Sequence, residues 1–225
     1  MKIQRYRKHY LASLHGLQYE EPLDRCFPRY RGIETCEQWE RDRHEKHHHR
    51  LEIDANNIGR VWTSSDHHFF HKNIIRFADR PHAGVDEMNQ DMLDKHNLFV
   101  TPDDISILGG DIGFGPVAQT NEILDQMNGY KIMIIGNHDW EHKKAVVKKY
   151  NVNEMYMSYF LEVDEFDVLF THAPFVATDM LTNPKLRNIY GHIHEKTIDH
   201  PHYINMCVEH SEYRPRLLVD LLTGT

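Results

Sequence analysis

The sequence predicts an α/β domain of two packed mixed β-sheets flanked by helices, preceded by an N-terminal extension of different texture. Three observations carry this. From residue 58 short apolar runs alternate with amphipathic stretches, whereas the final third is almost entirely short apolar runs separated by turns. In the domain, the polar clusters that stand out fall directly after an apolar run, at the strand ends where open α/β sheets bind ligands.

The elements follow in order. Residues 1–57 read as a partly helical extension; its run CEQWERDRHEKHHHRLEI is highly charged, with Trp39 as a packing anchor. His47, His48 and His49 point in different directions on a helix and cannot all face one ion. The domain, 58–225, opens with the strand IGRVWTSS, followed by DHHFFHKNII. VDEMNQDMLDKHNLFV has helical apolar spacing at Val85, Met88, Met92 and Leu93, with acids in its first turn. DISILGG is a strand ending at Asp111, TNEILDQM a helix, YKIMIIG a strand ending at Asn137-His138-Asp139, and HKKAVVKKY a basic helix. YMSYFLEV, FDVLFTHAP, LRNIYGHIH, YINMCVE and RPRLLVDL are read as short strands.

Composition narrows the classes. At 225 residues the chain suits one full-sized domain with an appendage. Residues 1–60 hold 12 Lys/Arg against 10 Asp/Glu, and the remainder 14 against 24. An acidic domain argues against duplex binding through a basic field. It does not argue against a phosphate substrate, because bound cations reverse the local field of clustered carboxylates. Cys26, Cys36 and Cys207 cannot make a disulfide framework, and no apolar run reaches 18 residues; a cytoplasmic protein without a membrane segment is expected. GGDIGFG lacks the lysine of a phosphate-binding P-loop, and no G-x-S-x-G serine elbow occurs.

Histidine is the anomaly, at 19 of 225 residues. Several fall at strand ends together with Asp and Asn: Asp66 and His68, Asp111, Asn137, His138 and Asp139, His172, and His192 with His194. On an extended backbone Asp66 and His68 point to one side, as do His192 and His194. Asp, His and Asn donors suit Mn, Fe, Zn, Co or Ni better than a site made only for Mg or Ca. The supply exceeds one ion's needs and fits two, with Asp111 as the bridge.

The order Asp66-His67-His68, Gly110-Asp111, Gly136-Asn137-His138-Asp139, His172 in THAP, and Gly191-His192-Ile193-His194 resembles the calcineurin-like metallophosphoesterases. SDHHFFHKNII, and YINMCVE through YRP, resemble a compact single-domain branch of that family. The resemblance spans about residues 58–222. It implies a binuclear centre with a bridging hydroxide. One metal is held by Asp66, His68 and His194, the other by Asn137, His172 and His192, with Asp111 between. His138 is implied to face the substrate and assist the leaving group, with Asp139 as its orienting partner.

The implied activity is metal-dependent hydrolysis of phosphate esters, with Mn as the first choice of metal. A phosphodiester is favoured, on a nucleotide or short nucleic acid. A phosphomonoester is the alternative within the class, and a non-catalytic binding scaffold the alternative outside it. One departure stands out. Many members continue the second motif as G-D-x-x-D, whereas this chain has Phe114 in the place of the second acid. His71 is open between substrate or ligand-supporting contact, direct metal contact and no role, and His67 is expected to turn away. Phe69, Phe70 and Phe114 suit either an apolar edge for a base or aryl group, or the core.

Overall fold

The computed structural model describes residues 53, 56–141, 146–163, 165–175 and 183–224. The charged run and the His47–His49 triplet of the extension lie outside these residues. Ile53 is buried among the residues between the two sheets.

Strand β1 (Val61–Ser64) begins three residues later than the sequence suggests, because Ile58–Arg60 form a single 3-10 turn. After it come α1 (Ile74–Phe77), α2 (Val85–Phe99), β2 (Ile105–Leu108), α3 (Val117–Gln126) and β3 (Tyr130–Ile134). The strands β4 (Trp140–Glu141), β5 (Val146–Val147), β6 (Glu154–Tyr156), β7 (Ser158–Val163), β8 (Phe166–Thr171), β9 (Leu186–Tyr190), β10 (Tyr203–Asn205) and β11 (Arg216–Leu217) complete the sheets, and α4 (Leu218–Thr223) ends the described chain.

One sheet runs β11-β1-β2-β3-β6, parallel except for the antiparallel edge β11; the other runs β10-β9-β8-β7, with only β7 antiparallel. Apolar residues of β1, β2 and β3 (Val61, Ile107, Ile134) cluster with those of β7, β8 and β9 (Leu161, Phe170, Ile189), so the sheets pack face to face. A second cluster joins Leu108 and Met133 to Met88, Met92 and Leu93 of α2 and Leu124 of α3, which cover the outer face of the first sheet. The parallel strands carry the chain to one end of the molecule, and the Asp, Asn and His clusters that follow those strands sit there.

Three expectations need correction. HKKAVVKKY is not a helix in its described part. Val146 and Val147 pair with Glu141 and Trp140, Lys148 sends its ammonium to the Gly113 carbonyl, and the Tyr150 hydroxyl goes to the same oxygen. Adjacent β-branched residues lower the helix preference only slightly, and in so short a segment these tertiary partners decide the outcome. YMSYFLEV is two strands in different sheets, divided at Met157. RPRLLVDL gives only two strand residues before Leu218, Leu221 and Leu222 form the buried stripe of α4. Among the described residues no helix is long and apolar enough to cross a membrane.

His96, on the buried face of α2, lies 3.0 Å from the Asn128 carbonyl through Nε2. Burial lowers its pKa to about 4, despite that bond. The unfolded chain therefore binds a proton near pH 6.5 that the folded one refuses until about pH 4. Stability from this group is complete above pH 6.5 and falls with pH through that window, by up to about 1.4 kcal/mol per unit. Urea titrations between pH 7 and 4.5 should show this loss, and His96→Gln, whose amide can still donate to the carbonyl, should make the dependence shallower.

Candidate metal centre

The site is assembled by loops that continue the strands without remaining extended. Past β1 and β2 the two backbones stay paired: Asp66 N donates to Gly110 O, His68 N to Asp111 O and Phe69 N to Ile112 O. Asp66, His68 and Phe70 have φ of 59°, 51° and 66°; Asp111 has 51°, and His192 and His194 have 73° and 51°. The i, i+2 pairs thus share a side through left-handed residues at every second position, not through the extended backbone the sequence suggested. Such conformations disfavour residues with a Cβ and gather where function constrains the chain.

Glycine lets the loops meet. A Cβ at Gly191 would lie 2.3 Å from Asp66 Oδ2, and one at Gly136 2.2 Å from Asp111 Oδ1. Neither contact can be relieved without moving a carboxylate at the centre of the cluster.

Two groups of donor atoms result, Asp66 with His68 and His194, and Asp111 with His172 and His192; within each, the atoms lie within 4.8 Å of one another. Asp111 Oδ2 stands between them, 3.7 Å from His68 Nε2 and 3.4 Å from His172 Nε2. Asn137 joins the second group through Oδ1, 2.9 Å from His172 Nε2. The structure therefore brings together all seven of the residues that the sequence suggested as ligands.

The hydrogen bonds leave the donors pointed inward. Asp66 Oδ2 accepts from the Ser65 hydroxyl (2.5 Å), the His192 amide (2.8 Å) and the Cys207 thiol (3.3 Å). Its other oxygen, Oδ1, is buried with no hydrogen-bond partner, as are both ring nitrogens of His68. Orphaned donors and acceptors of this kind are costly, and a cation among them would satisfy both. His172 donates from Nδ1 to the Gly109 carbonyl and His194 from Nδ1 to Glu209, so each presents Nε2 to the centre.

Charge tells the same story. Burial alone would depress the pKa of His172, but the Asp111 and Asp66 carboxylates outweigh it and push the value to about 10. Burial would likewise raise Asp111, and the facing His172 charge instead holds its carboxyl well below the usual range. Burial pushes His68 well below its ordinary value, so this ring is a neutral donor. Without a cation the carboxylates draw onto His172 a proton whose place a cation would take, while the neutral His68 already offers a lone pair.

Asp139 has a different task from the one expected. It is fully buried, and its oxygens accept from the amides of Asp111 (2.7 Å), Gly136 (2.8 Å) and Ile112 (3.2 Å). It clamps the loops after β2 and β3 together, while His138 donates its own amide to Asp111 Oδ1. The His138 ring is partly exposed, with Nε2 3.9 Å from Asp111 Oδ2, and lies edge-on to Phe114. His67 turns inward, 3.1 Å from the Ser64 hydroxyl, and stacks on Phe69, which is core. A cavity of about 510 Å³ opens on the centre, lined by His68, His138 and His194 and, next to them, by His71, Phe77 and Phe114.

Sequence reasoning missed Arg80 and Glu209. The Arg80 guanidinium donates to the carbonyls of Asp66 (2.7 Å) and His67 (2.8 Å) and pairs with Glu209 at 2.6 Å, and Glu209 in turn orients His194. They lie 129 positions apart, each alone in its segment, so no spacing signals the pair.

No family model matches the chain. An uncharacterized protein of Methanocaldococcus jannaschii, MJ1445, is 35% identical over 94 residues, which are 41% of this chain and 53% of that protein. The chain thus spans about half the length of the curated relative it matches. The crystal structure of a protein of unknown function from Aquifex aeolicus, AQ665, aligns with a TM-score of 0.55 at 23% identity, covering 69% of this chain and 93% of that one, a likeness of fold. A looser likeness, with a TM-score of 0.37 and 18% identity covering 65% of this chain and 81% of the other, is to the structure of a novel archaeal phosphodiesterase.

Glu209→Gln tests the supporting layer. The neutral amide can still accept from His194 but no longer strengthens it as a donor, and metal affinity should fall about 10–100-fold, as for other such partners. Competition against a chromophoric chelator measures the change, and circular dichroism checks that the fold persists.

Proposed function

We propose that the protein is a metal-dependent phosphoesterase of the calcineurin-like kind, acting on a phosphodiester of a nucleotide or short nucleic acid. The observation that carries the reading is one carboxylate oxygen, Asp111 Oδ2, lying between two donor groups, each able to hold a cation. Asp66, His68 and His194 would hold one ion; Asn137, His172 and His192 the other; Asp111 would belong to both. Manganese is our first choice among Mn, Fe, Co, Ni and Zn, from the mixed oxygen and nitrogen donors. When bound, two such cations supply neutralisation of the phosphate charge and a water acidic enough to ionise near neutral pH.

The chain's own residues do the rest. Asp111 fixes the separation of the two donor groups. Asp139, through three amides, keeps the loops bearing Asp111 and Asn137 in register. His138 faces the cavity beside Asp111, placed to hold a proton for the departing oxygen or to stabilise charge on the phosphoryl group. Phe114 can neither accept a proton nor orient His138 by hydrogen bonding, so its contribution there is steric. Diester and monoester cleavage share this machinery, and the cavity beside it leaves room for a group beyond the phosphate.

Hydrolysis of bis-p-nitrophenyl phosphate and p-nitrophenyl phosphate, with Mn, Ni or Mg added and with chelator, tests the reading. Activity should require metal and favour the diester. Failure on both with every metal would favour a binding scaffold. Asp111→Asn should abolish metal occupancy and turnover together in a folded protein. His138→Gln should keep both metals and lose roughly 10²–10⁴-fold in turnover. The His138→Gln loss should be smaller for a p-nitrophenolate than for an alkoxide leaving group. Equal losses would assign His138 to electrostatic positioning, and a missing metal would make it a ligand.

A further inference from the structure

The cavity beside the metal centre is lined by two kinds of side chain. His68, His138 and His194 belong to the donor cluster or border it. Beside them stand two aromatic side chains that the core does not absorb. Phe77 is 63% exposed and Phe114 47%, unusual values for phenylalanine in a chain whose Phe69 and Phe170 are fully buried. The Phe114 ring lies flat on His71, with centroids 3.9 Å apart and planes within 13°, and Phe77 meets the same imidazole edge-on at 6.4 Å. His71 thus holds the wall together while Phe114 also borders His138 at 5.2 Å. Asn73 and Glu195 supply the polar groups of this lining.

We propose that this wall is the subsite for a planar heteroaromatic ring, so that the substrate is a phosphate ester carrying a nucleobase. The inference rests on the phosphoesterase reading and assigns the side chains that would hold the base of its nucleotide substrate. Two exposed rings beside a polar rim suit a flat, amphipathic group, because stacking gains from the aromatic faces while the edge of the base keeps its hydrogen bonds. The anion lies toward the histidines, among the groups that would hold the cations, and the neutral ring toward Phe114 and Phe77. The cavity, about 510 Å³, is in the range of sites for small organic ligands and exceeds what phosphate alone needs.

The manganese-loaded full chain should be titrated calorimetrically with adenosine 5′-monophosphate, ribose 5-phosphate and inorganic phosphate. The nucleotide should bind at least about tenfold more tightly than the sugar phosphate, the scale of one base stacked on an aromatic side chain. Phe114→Ala and, separately, Phe77→Ala should bring that ratio toward one; both side chains are exposed, so neither change removes core packing. Equal affinities in the unaltered protein, or a ratio that survives both substitutions, would overturn the base subsite. If bis-p-nitrophenyl phosphate is still hydrolysed in that case, the phosphoesterase reading stands. Absence of binding by all three probes, together with absence of hydrolysis, would remove both.

Discussion

Oδ2 of Asp66 holds the histidine-rich end of the molecule together. Three donors converge on it: a hydroxyl from its neighbour, an amide from the loop after β9 and a thiol from the segment after β10. Two of these come from the second sheet and the loop that follows it, so the carboxylate closes the end of the sandwich across the sheet boundary. Saturating one oxygen forces the other to face inward without a partner. The structural bond and the uncommitted oxygen belong to the same side chain, and neither can be altered alone.

Around that point the same logic repeats in backbone. Asp139 takes three amides, Arg80 takes two carbonyls, and Asp111 takes the amide of His138. The polar loops need these internal partners because they are buried and water does not reach them. What results is a rigid frame in which the histidines contribute little to holding the loops and are left with nitrogen atoms to offer. Donors held in this way need little rearrangement to receive an ion, which raises affinity without further contacts.

Much of this was legible in the sequence, for a specific reason. Asp66, His68, Asp111, Asn137, His172, His192 and His194 each follow an apolar run, and strands place their ends together whatever the intervening lengths. Their gathering follows from topology. The supporting layer follows from side-chain reach, and spacing says nothing about it: Arg80 meets Glu209 across 129 residues. Asp139 was legible as a member of the cluster but not as a clamp, since the sequence shows a carboxylate and not the direction it takes. The misread segments share a cause too. HKKAVVKKY and RPRLLVDL are short, and for short segments tertiary partners such as the Gly113 carbonyl outweigh local preference.

The left-handed backbone at Asp66, His68, Asp111, His192 and His194 has a consequence for how this protein tolerates change. Each position carries a side chain in a conformation that glycine adopts freely and other residues resist by about 1–2 kcal/mol. Five together cost on the order of 5 kcal/mol, comparable with the whole net stability of a small domain. Drift toward a sturdier chain would therefore begin at His68, whose ring nitrogens make no hydrogen bond, and not at Asp66 or Asp111, whose carboxylates hold backbone amides of the neighbouring loops. A library screened for thermal resistance alone would enrich for molecules that keep the sandwich and have lost the centre, so such a screen needs metal retention as a second criterion.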